Sequence, residues 1–130
     1  MAIFTWFYPV LQGLFLGLVA AVLHETGHLL AAFTVSVKIK SIEFRWKGLA
    51  IVREAGTPGR NLIVSLAGPC MNLLLVAFWH LDPKFGLANL CFGFVNLLPI
   101  EGSDGLRVMQ CWDQLRAERK NTRATLPIDK

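Results

Sequence analysis

The sequence predicts an α-helical integral membrane protein: three transmembrane helices, a small β-hairpin between the first and second, and an interfacial C-terminal helix. Three observations predict it. Hydrophobic residues make up 54% of the 130 and charged ones 17%, a balance with mean hydropathy +0.48 that argues against a soluble globule. Apolar runs occupy about 9–33 and 61–81, the length needed to cross the hydrocarbon core, with a shorter run at 85–100. The basic residues gather outside those runs. Lys38, Lys40, Arg45, Lys47, Arg53 and Arg60 crowd one connecting segment, and Arg107, Arg116, Arg119, Lys120 and Arg123 follow the last apolar run. Beside membrane spans such clusters mark the cytosolic side rather than a nucleic-acid surface. At this length the chain is one domain, 1–130. Cys70, Cys91 and Cys111 lie far apart with no CxxC, so they read as free thiols.

The first run opens with Trp6 and Tyr8, suited to an interfacial aromatic belt, and with Pro9, suited to a first helical turn. A cleaved signal peptide would need a positive n-region, which is missing here. Gly13, Gly17 and Ala21 form a small face for close packing against another helix. Thr34 to Val37 is rich in β-branched residues and predicts the helix end. From 37 to 54 the period changes: Val37, Ile39, Ile42, Phe44 and Trp46 alternate with charged residues, with a phase shift at Ser41-Ile42 that calls for a bulge. Gly48 is placed to turn the chain, and Leu49 to Val52 to return as a second strand.

The second run contains Ala67-Gly68-Pro69-Cys70-Met71-Asn72, where Pro69 disturbs the helix and Asn72 sets an amide at membrane depth. It closes with Trp79 and His80, which read as interfacial. Asp82-Pro83 makes a tight turn into the third run. That run ends in Asn96-Leu97-Leu98-Pro99-Ile100-Glu101-Gly102-Ser103-Asp104-Gly105, irregular backbone that survives at membrane depth only when it lines a cavity or is packed in protein. Over 106–120, Leu106, Met109, Trp112 and Leu115 share a helical face beside basic residues, the pattern of an interfacial helix. The end, Asn121 to Lys130, is polar. Three spans with both basic segments inside place the N-terminus outside and the C-terminus in the cytosol.

The chemistry centres on His24-Glu25-Thr26-Gly27-His28. Histidines four apart share a helical face and can both meet one metal ion, and Glu25 between them is placed to act as general base. Three ionisable groups in a membrane-length apolar helix are costly unless they bind something. His24 lies roughly 20–25 Å below Pro9 in a core about 30 Å thick, which puts it in the cytosolic half. A hydrolytic zinc commonly takes three protein ligands, and Glu43, Glu54, Asp82, Glu101 and Asp104 are candidates for the third. Depth favours Asp104, on a broken helix with a flanking glycine, and leaves Glu101 as its rival.

Taken together, H-E-T-G-H on the first run, A-G-P-C-M-N on the second and N-L-L-P-I-E-G-S-D-G on the third resemble the site-2 protease family of intramembrane zinc metalloproteases. The resemblance implies a Zn2+ cofactor, with His24, His28 and Asp104 as its ligands and Glu25 as the catalytic glutamate. It also implies that Asn72 and Asn96 sit beside the active site, placed to hold the substrate backbone or the developing oxyanion. Glu101 and Ser103 stand where the family often has proline and leucine. The connecting segment is too short for a PDZ domain and the tail too short for a CBS pair, so a minimal core is expected. The expected partners are a transmembrane or membrane-anchored protein substrate and the lipid bilayer, with room for a homo-oligomer or partner subunit and none for nucleic acid. The expected location is the cytoplasmic membrane if the source is bacterial. The competing expectation is a catalytically silent metal-binding or scaffold protein of the same fold. A transporter subunit would predict internal repeats, and none is evident.

Overall fold

In the computed structural model, residues 2–45, 48–54 and 56–125 are described. Four helices and one two-stranded sheet follow in the order α1 (Ala2–Thr34), β1 (Ile39–Arg45), β2 (Gly48–Arg53), α2 (Pro58–Leu75), α3 (Pro83–Leu97) and α4 (Asp104–Thr125). A short 3-10 turn, Val76–His80, joins α2 to α3. α1 begins at Ala2, so Pro9 lies inside the helix rather than in its first turn. Tyr8 is exposed, while the side chain of Trp6 lies outside the described residues.

The α1 terminus is set by hydrogen bonding rather than by β-branching alone. Ser36 takes the left-handed conformation (φ 54°), Val37 N–H donates to Ala32 O at 2.9 Å, and Ser36 N–H donates to Phe33 O at 3.2 Å. That is the Schellman pattern, which normally brings an apolar contact between the residue after the turn and the last helical turn. Here Val37 and Ala32 are buried together against Val64 of α2. The contact fixes where the hairpin leaves α1. β1 and β2 pair antiparallel, with Ile39 opposite Arg53 and Ser41 opposite Val52. Lys40 is therefore the extra residue of a bulge, just before the expected phase shift. Trp46 and Lys47 at the tip lie outside the described residues, and Gly48 pairs with Arg45 in the ladder.

Each later helix starts with a stop-and-cap signal. Thr57 caps α2 ahead of Pro58, accepting from Arg60 N–H at 3.5 Å. Asp82 caps α3 ahead of Pro83, accepting from Lys84 N–H at 2.9 Å and Phe85 N–H at 3.3 Å. α2 runs on through Pro69. The helices cross where side chains are smallest. A Cβ on Gly27 would lie 2.7 Å from Ala67 O and 2.9 Å from the Met71 Cβ, and one on Gly93 would lie 3.1 Å from the Asn72 Cβ. Gly13 and Gly17, in contrast, have nothing within 4 Å. The close approach within the chain uses Ala20 and Gly27, not the small face predicted nearer the N-terminus.

Two helical stretches, Phe7–Thr34 and Pro58–His80, are long and apolar enough to cross a membrane by length and composition. α3 has 15 residues and rises about 22 Å, short of a core about 30 Å thick. Among the described residues, therefore, two stretches and not three meet the length requirement. Only 11% of the first apolar window and 28% of the second are buried, whereas the core helix of a soluble protein would be mostly covered. Leu14, Phe15 and Phe33 are 68%, 64% and 87% exposed.

The glycine contrast gives a stability test. Gly27→Ala forces a methyl into backbone and should cost about 1–3 kcal/mol. Gly17→Ala meets open space and should hold or raise stability, because alanine favours helix by roughly 0.8–1.0 kcal/mol over glycine. Thermal unfolding of the two variants in the same detergent checks the difference.

Candidate metal centre

His24 and His28 lie one turn apart on the face of α1 that packs on α2, and both are buried. Each ring is oriented through Nδ1. His28 Nδ1 donates to the main-chain carbonyl of Val64 at 2.6 Å, and His24 Nδ1 donates to Asn72 Oδ1 at 2.7 Å. A neutral imidazole has one N–H, so both Nε2 atoms are left as lone pairs. They stand 3.1 Å apart. The rings meet edge to face, and Phe92 of α3 packs edge-on against His24 at 5.2 Å.

Asp104 completes the cluster from the first turn of α4. Its Oδ2 lies 2.9 Å from His24 Nε2 and 3.0 Å from His28 Nε2. The loop after α3 delivers it there. Gly102 takes φ 85°, and Ser103 Oγ donates to Leu98 O at 2.6 Å while accepting from Ile100 N–H and Leu106 N–H at 3.2 Å. Ser103 thus closes the loop and caps α4 in one move. Gly105 packs the start of α4 onto the Leu97 carbonyl, where a Cβ would clash. The other carboxylate oxygen of Asp104 lies 3.8 Å from Arg107.

The donor set fits a tetrahedral cation such as Zn2+. Three acceptors, two imidazole nitrogens and a carboxylate oxygen, face one another at 2.9–3.1 Å. Donors each about 2.0–2.1 Å from a tetrahedral zinc would stand about 3.3 Å apart. One proton could serve one edge of this triangle, whereas a cation serves all three. There is also room, because Gly68 of α2 faces the nitrogens: a Cβ there would lie 2.8 Å from His24 Nε2 and closer still to His28 Nε2. Glu25, half-buried, has a carboxylate oxygen within 4.8 Å of the ligand atoms of His24 and His28.

The other sequence candidates separate clearly. Glu101 is exposed in the turn, Asp82 caps α3, and His80 accepts no role here, its Nδ1 lying 3.0 Å from Ala77 O. Asn72 is fully buried, and its amide is committed: Oδ1 accepts from His24 at 2.7 Å, and Nδ2 donates to Ala20 O and to Asn89 Oδ1, both at 2.9 Å. It therefore lies beside the cluster, as the sequence expectation had it, and supports a ligand through its oxygen. Asn96 Nδ2 donates to Phe92 O of its own helix at 2.9 Å, which leaves its Oδ1 outside that bond. Sequence reasoning missed Asn89, although an amide within the apolar 85–100 run was a visible signal. It also missed Ser65, fully buried, which accepts from Arg53 at 2.8 Å and ties β2 to α2. Burial first, and then the charge of Arg107, lowers Arg53 from its ordinary value.

Compared with known proteins, the chain is 31% identical, over a 129-residue alignment, to a Synechocystis protein named "Putative zinc metalloprotease sll0528". The alignment takes in 79% of this chain and 34% of that protein. The chain thus spans about a third of the length of this relative. No protein-family model matches the chain. The likeness is to a protein named as a zinc metalloprotease, and the buried donor set agrees with that chemistry.

Gly68→Ala tests the cradle. The added methyl occupies the space beside both Nε2 atoms, so zinc retained per protein after gel filtration should fall at least about tenfold, as measured by elemental analysis. Retention of full zinc would show that the cation sits elsewhere.

Proposed function

We propose that this chain carries the core of an intramembrane zinc metalloendopeptidase that hydrolyses peptide bonds of transmembrane substrates near the cytosolic side of the bilayer. The observation that carries this reading is the convergence of His24, His28 and Asp104 beside Glu25, inside helices whose apolar surfaces are largely uncovered. The zinc-metalloprotease name of the Synechocystis relative supports it.

His24 Nε2, His28 Nε2 and Asp104 Oδ2 would hold the zinc. When bound, zinc supplies a Lewis acid that acidifies a water and polarises a carbonyl. Glu25 would take the proton of the attacking water and pass it to the leaving amine, an exchange helped by its position one residue from a ligand. Phe92 and the α1–α2 contact would keep bulk water away from the buried side of the site. Asn96, half-buried on α3, is the substrate contact we retain. A helical substrate must unwind before its carbonyl is accessible. The hairpin offers an edge to which the unwound segment can add as a strand, with Ile39 and Ile42 of β1 exposed for apolar contact.

The proposed setting is a multi-pass membrane protein, in the cytoplasmic membrane if the source is bacterial, with α3 as a short third crossing. The N-terminus then faces out, and the hairpin and α4 face the cytosol. α4 would lie at the interface, with Met109 and Trp112 half-exposed and the Arg116 guanidinium 5.6 Å over the Trp112 ring.

Three substitutions separate the roles. Glu25→Gln keeps side-chain size and removes basicity, so it should keep near-parental zinc and lose at least about 100-fold in cleavage of a model transmembrane peptide. Asp104→Ala should lose zinc and cleavage together. Glu101→Ala should lose neither. Full activity in Glu25→Gln would defeat the general-base mechanism, whereas a parent that holds zinc and cleaves nothing would leave a metal-binding protein of this fold. Topology has its own check. Cysteines placed at Ser41 and Thr122 in a cysteine-free background should resist impermeant thiol reagents outside intact cells and label once the membrane is opened.

A further inference from the structure

Asn89 lies midway along α3 and is fully buried in an apolar helix. A buried amide in such a place is costly unless every polar atom is satisfied. Here the satisfaction has a direction. Asn89 Nδ2 donates to Phe85 O at 2.9 Å. A main-chain carbonyl can only accept, so Asn89 must present its oxygen, not its nitrogen, to Asn72. Asn72 Nδ2 meets that oxygen and the Ala20 carbonyl, both at 2.9 Å. With both amide hydrogens committed, Asn72 can offer His24 only an oxygen, at 2.7 Å. His24 must then carry its proton on Nδ1 and turn the lone pair of Nε2 toward Asp104 and His28. Two main-chain carbonyls, one on α1 and one on α3, thereby dictate the polarity of the whole chain of bonds.

We infer that Asn89 is a positioning residue for the metal centre: through Asn72 it holds His24 in the tautomer and orientation that a cation requires. His28 needs no such relay, because Val64 O accepts its Nδ1 proton directly. The two histidine ligands are thus held by different means, one by the backbone and one by a side-chain relay crossing three helices. The inference rests on the reading of this cluster as a metal site.

A purely structural amide, glue between α2 and α3, makes different predictions from a relay. Asn89→Leu fills similar space with an apolar side chain suited to the surroundings and removes the acceptor. Asn89→Asp keeps an acceptor oxygen for Asn72 but buries a carboxyl. The experiment titrates cobalt(II) into the metal-free, detergent-purified full chain and follows visible d–d absorption, with thermal unfolding measured alongside. Asn89→Leu orphans one buried Asn72 amide hydrogen and should unfold somewhat earlier than the parent, though no earlier than Asn89→Asp, yet bind cobalt about tenfold more weakly, the scale of losses on removing outer supports of metal ligands. Asn89→Asp should bind within about twofold of the parent even though it unfolds earlier. Asn72→Leu should bind at least as weakly as Asn89→Leu, and the double variant no more weakly than Asn72→Leu alone, because the relay has then lost its middle. If Asn89→Leu does not fold, Asn89→Ser, whose hydroxyl is too short to reach Asn72, carries the same expectation. Parental affinity in a folded Asn89→Leu or Asn89→Ser, or losses that multiply in the double variant, would overturn the relay. A parent that takes up no cobalt would instead overturn the metal reading, and the relay with it.

Discussion

Three acceptor atoms facing one another at about 3 Å in a buried pocket are the constraint on which the rest of this structure depends. Lone pairs so arranged repel, and burial removes the water that would screen them. A cation turns that repulsion into coordination. Until it does, the geometry has to be imposed by packing and hydrogen bonds outside the cluster, and the fold can be read as the set of devices that impose it. α2 supplies Val64 O to one ring, Asn72 to the other, and the bare backbone of Gly68 beneath both.

Those devices depend on α1 and α2 being unusually close. Gly27 sits between the two histidines in sequence and against Ala67 and Met71 in space, so the residue that allows helix contact also brings the rings over Gly68. The Schellman turn at Ser36 adds a second clamp, because Val37 folds back onto Ala32 and Val64. Val64 therefore serves twice: its side chain receives the start of the hairpin, and its carbonyl orients His28. Displacing the hairpin would disturb a ligand two turns up α1 without touching it.

Some of this was legible in the sequence and some was not. The i, i+4 histidines, the hairpin with its bulge, and the turn at Asp82-Pro83 follow from periodicity and from local rules, and these local features appear in the structure. The choice between Asp104 and Glu101 did not follow from spacing. It turns on which residue falls in the first turn of α4, and that is fixed by a serine hydroxyl bonding three main-chain groups. The glycines are a related case within the chain. Gly13 and Gly17 have the spacing of a packing motif, but whether a small residue meets a neighbour depends on where the second helix crosses. Asn89 was overlooked because a lone amide in an apolar run gives no hint of its partner until α2 and α3 are placed side by side.

Ser103 and Glu101, the residues that depart from the pattern the third motif resembles, fit this account. The loop after α3 must reverse direction within a few residues and deliver a carboxylate to the histidines. A proline could stiffen such a loop by fixing φ. This chain instead uses Gly102 in the left-handed region and lets Ser103 tie Leu98, Ile100 and Leu106 together. The hydroxyl satisfies backbone groups that would otherwise be left at a helix terminus, so the polar substitution lies where polarity is needed. Glu101 lies in an exposed turn, where a charge costs little. The departures change how the loop is held, and they leave the carboxylate of Asp104 where both imidazoles can meet it.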